Sequence, residues 1–415
     1  MTDPAPAVWY YEAPSTVIGA LQHGLGRGAH RALRDPAGAE AVFACVKRDH
    51  RWDWMVDERA LYLARLVRDL GMPIPPLLML LRDHPSDNDD NTFDNTLEML
   101  EVLGRSSAQH AIDGLRQYVH DGPRWTKVLQ TIARDWPREL WDDLLPVART
   151  RLGRGDGADT ALWRSRPWPD WATVDESIAA RLEDFQPRSA PPRPFEQRGT
   201  KDLLTLLRTG GTDRQKAVLR ELNHRGPQPD LLTIAEDLPV TELYGQLGRA
   251  IGMLGRRALA LARAWATPPV HPMVWTAYLV LAEHGEDGDL PALFAAWEWL
   301  DRRTHDRCGY DALAAGIARI GGAAAQAAVP RLRRAWFSPH SFERAAYLRA
   351  VTALDPDAAR WLLREGLWDC ESDVRKFAAE HAPLDDTTRD QLRYLRDDPM
   401  ETTEVRATAR RRLGF

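Results

Sequence analysis

Two patterns recur along this chain at nearly the same interval, and together they leave few folds open. Arg344, Arg375 and Arg406 are evenly spaced, at a step of 31, in Glu343-Arg344-Ala345-Ala346-Tyr347, Val374-Arg375-Lys376-Phe377-Ala378 and Val405-Arg406-Ala407-Thr408-Ala409. Interleaved with them, Leu-x-x-Ala-Trp ends at Trp265, Trp297 and Trp336 in steps of 32 and 39, and Trp368 lies 32 beyond. Between these marks the apolar residues are spaced by three and four. Leu61, Ala64, Val67 and Leu70 make one stripe, with Asp57 placed to cap its start and Gly71 and Pro73 placed to end it. The same grammar predicts helices over 95–103 closed by Gly104, 108–120 by Gly122, 140–152 by Gly153 and 242–254 by Gly255. Strand signals are nearly absent. The expected class is all-α, and two registers at about one step describe a two-helix unit stacked along an axis, an α-solenoid.

In these residues the chain resembles the HEAT-repeat superfamily, particularly the short bacterial HEAT-like repeats also found in phycobilin lyases. Their acidic turn followed by Val-Arg-x-x-Ala is best matched at Asp373–Ala379 and Glu404–Ala409, and more loosely at Asp213–Leu222 and Glu343–Val351. The resemblance covers Lys201–Phe415 and, more weakly, Phe93–Gly153. It implies a binding scaffold in most cases, with lyases and DNA glycosylases as minorities.

Gly153–Thr200 breaks the pattern. Arg164-Ser165-Arg166-Pro167-Trp168-Pro169 and the proline-rich run from Gln186 to Pro194 favour extended backbone, with room for one short helix over 173–182. The expected organisation is an N-terminal helical half over 1–153, read as degenerate repeats of the same kind, an irregular connector over 154–199 and a C-terminal repeat array over 200–415.

Charge narrows the partners. The chain carries 55 basic and 60 acidic side chains, a net −5, and no region is basic: residues 1–150 hold 17 basic against 22 acidic. Nucleic acid is therefore disfavoured, and an acidic half suits a protein or peptide with a basic segment. No run of roughly 18 apolar residues suggests a membrane span, and three scattered cysteines fit a reducing cytoplasm. There is no phosphate loop, no dinucleotide fingerprint, no nucleophile elbow and no zinc-protease motif. No catalytic residue, metal or cofactor is nominated. Asp87–Glu98 meets a calcium-loop template only in part, since Thr92 replaces the turn glycine, and it reads better as an acidic junction capping the next helix. His305 and Cys308 lack a second ligand pair.

Sixteen tryptophans against nine Tyr and nine Phe are the remaining anomaly. Trp265, Trp297, Trp336 and Trp368 keep the repeat register and read as packing, with each indole N–H expected to find a carbonyl near a helix end. Arg344, Arg375 and Arg406 read as structural too, each pairing with a nearby acid or one a repeat away. Partner contacts are expected instead at Trp163, Trp168 and Trp171 in the connector and at the unregistered Trp52, Trp54 and Trp299. The leading function is a non-catalytic protein- or peptide-binding scaffold. A HEAT-like DNA glycosylase or other nucleic-acid-acting protein is the alternative, and a lyase-like modifying enzyme the third.

Overall fold

The computed structural model describes residues 11–51, 56–83, 92–156, 164–184, 194–267, 271–303 and 308–414. Among them every regular element is a helix, and neighbouring helices pack in pairs. No helix there is long and apolar enough to cross a membrane. The chain forms two compact units, one of residues 1–188, 337–342 and 360–415, the other of residues 189–336 and 343–359. The division drawn from the sequence kept 200–415 together, whereas residues 360–415 pack with the N-terminal half.

The second unit displays the period most clearly. Helices Val240–Gly252, Val274–His284, Tyr310–Ile320 and Arg344–Leu354 start at nearly equal steps along the chain, and each packs on the next. Between them run Leu259–Ala266, Leu290–Asp301 and Val329–Ala335, each packed against the helix that follows. The two sequence registers thus fall on alternate helices. Trp265 and Trp297 lie on the second set and Trp336 directly after its last helix, and all three are buried.

In the first unit, helices from Val17–Gln22 to Glu176–Asp184 surround one apolar core that also takes in Cys370 and Met400 from the C-terminal segment. The two segments meet at backbone distance. Cys370 N donates to Gly24 O at 2.9 Å, and a Cβ on Gly26 would stand 2.0 Å from Glu365 O, so only glycine admits that approach.

The helix expected to end at Gly104 spans Thr92–Arg105 and runs through it. Gly104 is a contact glycine, because a Cβ there would meet the Trp136 ring at 2.3 Å. The helix expected over 140–152 opens with two short 3-10 turns and becomes α-helical only at Leu145–Gly153, where Pro146 occupies the first turn. The connector holds Trp168–Ala172 and Glu176–Asp184, the latter started by Asp175, whose carboxylate accepts from Ser177 N and Ile178 N.

Arginine near a helix end performs a job that no sequence register marks. Arg151 donates to Val119 O and Gly122 O at 3.1 and 2.9 Å, Arg319 to Ala282 O and Gly285 O at 3.1 and 2.8 Å, and Arg412 to Ala382 O at 3.2 Å. The acceptors are carbonyls of the last turn or the C-cap of Gln109–Asp121, Val274–His284 and Ser372–His381, groups with no partner inside their own helix. Each donor sits in Arg151-Leu152-Gly153, Arg319-Ile320-Gly321 or Arg412-Leu413-Gly414. A cation there also faces the negative end of the helix dipole.

Candidate functional site

A buried polar cluster lies in the first unit and grows from a short motif used twice, Asp49-His50-Arg51 and Asp57-Glu58-Arg59. In each, the Asp Oδ1 accepts from the backbone N–H of the arginine two positions on, at 2.9 and 3.0 Å, and from its Nε at 3.0 and 2.9 Å. This Asx turn folds the guanidinium back onto its own loop. Arg51 reaches on to Glu98 at 2.5 Å. Arg59, fully buried, donates to Gln22 O and to Pro339 O. Burial raises Asp49 and Glu98 above the ordinary carboxylate range despite the Arg51 charge.

Tyr11 lies over this cluster, its hydroxyl donating to His50 O at 2.8 Å and its ring 4.9 Å from that of His23. Beneath is a recess with room for about one water, lined by Gln22, Cys45, His50, Arg51, Arg59 and Asn95. Burial pushes the Cys45 thiol up to about 12, so at neutral pH it is a small apolar group and not a nucleophile. Asp57, Cys370 and Glu371 bring three ligand-type atoms within 4.8 Å of one another. Arg59 already engages both oxygens of Asp57, so this group holds a guanidinium. The arrangement does mechanical work, pinning the backbone at Arg51 and at Arg59.

A second buried network joins the C-terminal segment to the Arg59–Asp69 helix. Arg375 meets Glu401 at 2.7 Å. Arg65 bridges Asp398 and Glu401, each at 2.6 Å. Burial by itself would raise Glu401, but Arg375 and then Arg65 outweigh it and bring it down to about 2. Arg375 is therefore engaged by Glu401, 26 residues on and just ahead of the Thr403–Arg412 helix. Arg344 is buried, whereas Arg406 is exposed and donates to Arg396 O.

The tryptophans divide differently from the expectation. Trp168 and Trp171 are fully buried, edge-on to each other at 5.7 Å, with Trp168 against Trp125 and Trp171 against Trp141. Trp171 Nε1 donates to Asp142 at 2.9 Å. They form core, and the partner contacts expected of them are corrected: neither has surface to offer. Trp52, Trp54, Trp163, His305 and residues 84–91 of the acidic loop lie outside the described residues. Described neighbours of that loop are structural, since Asp94 pairs with Lys127 at 2.6 Å and Asn95 is buried. Trp368 is half-buried and stacks on Tyr394 at 4.7 Å. The carbonyl expected for each register indole is not found at Trp265 or Trp336, whose buried Nε1 atoms have no partner. Trp265 instead stacks on His271 at 4.8 Å.

Trp299 remains, and it is half-buried. It stacks on Trp275 at 5.7 Å, and Arg303 covers its ring at 4.7 Å. Trp275 lies close against Gly309, where a Cβ would come within 2.4 Å of its ring. Leu279 is one turn along from Trp275 on the same helix, and Tyr244 stands on the adjacent helix, near enough to Thr276 to hydrogen-bond. Both are 37% exposed. Trp275, Tyr244 and Leu279 were missed because no repeat register marks them; only the i, i+4 spacing of Trp275 and Leu279 on an otherwise apolar helix hinted at a shared face.

Searches of protein-family models, curated proteins and solved structures match nothing to this chain.

Proposed function

We propose that the chain is a scaffold of stacked helix pairs, a HEAT-like α-solenoid, that binds a protein or peptide segment. The observation that carries this reading is the aromatic surface of the second unit. Tyr244 and Leu279, on adjacent helices, expose large apolar groups beside the half-buried Trp275–Trp299 stack and its covering Arg303. Aromatic rings held in place by their neighbours lose little entropy on binding and supply large contact area, the combination found at interface hot spots. The regular alternation of helices starting at Val240, Val274, Tyr310 and Arg344 supports the repeat reading. The acidic N-terminal half, with 17 basic and 22 acidic side chains in 1–150, favours a partner with a basic segment.

The test compares wild-type protein with the double variant Tyr244→Ala, Leu279→Ala in affinity capture from native extract. Both residues are partly solvated, so the variant keeps its helical circular dichroism. A polypeptide retained by wild type and lost by the variant supports the reading. Partners retained equally by both would remove this surface from it.

A further inference from the structure

The recess beneath Tyr11 carries more hydrogen-bonding capacity than the side chains around it use. A guanidinium has five N–H donors. Arg59 directs its Nε hydrogen and one from Nη2 to Asp57, the other Nη2 hydrogen to Pro339 O and one Nη1 hydrogen to Gln22 O. Its second Nη1 hydrogen meets no acceptor among the described residues. Arg51 directs its Nε hydrogen and one from Nη2 to Asp49, and one from Nη1 to Glu98, which leaves one on each terminal nitrogen. On the opposite account, Asn95 of the Thr92–Arg105 helix also lines the recess, and its buried Oδ1 accepts from nothing. Asn95 is 1% exposed, and Arg51 and Arg59 are each 2% exposed, so bulk solvent does not satisfy them.

Spare donors and a spare acceptor in one small polar recess define what fits there. Room for about one water excludes any larger molecule. The arginines call for an acceptor and Asn95 Oδ1 for a donor, so the occupant must be both. Asp49, Asp57 and Glu98, the acids bound to the two arginines, already outnumber them, so the recess does not attract a small anion. The unused guanidinium hydrogens turn away a cation. A neutral molecule of one heavy atom that accepts and donates is what remains.

We propose that this recess is a binding site for one internal water, which accepts from an unused guanidinium N–H of Arg51 or Arg59 and donates to Asn95 Oδ1. Buried polar atoms are as a rule hydrogen-bonded, and internal waters complete the set where protein groups do not. The water gives the Thr92–Arg105 helix a second tie to the Asp-x-Arg motifs, beside the Arg51–Glu98 pair at 2.5 Å. Tyr11, bonded to His50 O, covers it.

The experiment is a pair of crystal structures of the full chain, wild type and Asn95→Leu, each soaked in sodium bromide. Wild type should show a density peak about 2.7–3.2 Å from Asn95 Oδ1 and from a terminal nitrogen of Arg51 or Arg59, with no anomalous bromide signal in the recess. Asn95→Leu, which puts an apolar branch where the amide stood, should lose the peak and keep the Arg59–Asp57 pair. An empty recess in wild type, a bromide signal there, a protein donor against Asn95 Oδ1, or a peak that persists in Asn95→Leu would each overturn the proposal. Were the variant not to fold, the wild-type density decides on the same terms.

Discussion

Replacing Glu401 by glutamine should expose how strongly the first unit depends on its buried ions. The Glu401 carboxyl is fully buried between Arg375, also fully buried, and Arg65. Its folded value of about 2 lies below the ordinary 4.5. That gap corresponds to about 3 kcal/mol of stability at neutral pH. A depressed acid contributes above its unfolded value and loses that contribution as pH falls, so the loss should run from about pH 4.5 down to about 2. Glu401→Gln keeps the shape and removes the charge, leaving Arg375 with only a distant acid, Glu58 at 3.8 Å. Stranding a buried cation costs about 3–5 kcal/mol, in line with the titration figure. Urea unfolding at pH 7, with exchange of the Ser372–His381 amides as a local readout, should show the variant destabilised by about 3 kcal/mol. Its stability should also change less than that of wild type between about pH 5 and 2.5. A variant within about 0.5 kcal/mol of wild type at pH 7, the range of ordinary surface substitutions, would refute the argument that these charges interlock the two segments.

Other outcomes follow from named contacts. Arg319→Met should cost about 1–3 kcal/mol, because two helix-end carbonyls lose a charged donor, and Arg412→Met less, because it strands one; thermal unfolding ranks them. Gly104→Ala should cost about 1–3 kcal/mol by driving a methyl into the Trp136 ring, measured by urea titration. Thiol labelling of native protein at about pH 8 should modify Cys308, which is partly exposed, well before buried Cys45 and Cys370, as peptide mapping would show.

The helical class and its period were legible because they depend on local spacing. Alternation of apolar residues and helix-ending glycines locates elements wherever neighbours do not intervene, as for Gln109–Asp121 ahead of Gly122. It failed at Gly104, where glycine makes room for the ring of Trp136, several turns of helix and a connection further on, a demand no local pattern carries. The connector tryptophans looked like surface residues because proline surrounded them. In the fold, Trp168 and Trp171 fill a core that Trp125 and Trp141 open to them. The Asp-x-Arg pairs at 49–51 and 57–59 and the Arg-Leu/Ile-Gly helix ends were present in the sequence as short repeats. Their meaning depended on acceptors far away in the chain, such as Pro339 O for Arg59. Pairing of segment 360–415 with 1–188 had no sequence signal, since it rests on complementary surfaces and on ion pairs between residues distant in the chain, such as Arg27–Glu365 at 2.7 Å and Arg65–Asp398 at 2.6 Å.

Whether the aromatic surface of the second unit receives a polypeptide is tested most directly by site-specific photo-cross-linking in cells of its source. A photoreactive residue at Leu279 should yield a discrete cross-linked polypeptide that disappears when Tyr244→Ala is added. The same probe at Val174, 70% exposed in the other unit, should not yield that product. No discrete product at Leu279, or the same product at both positions, would contradict a binding scaffold that works through this face.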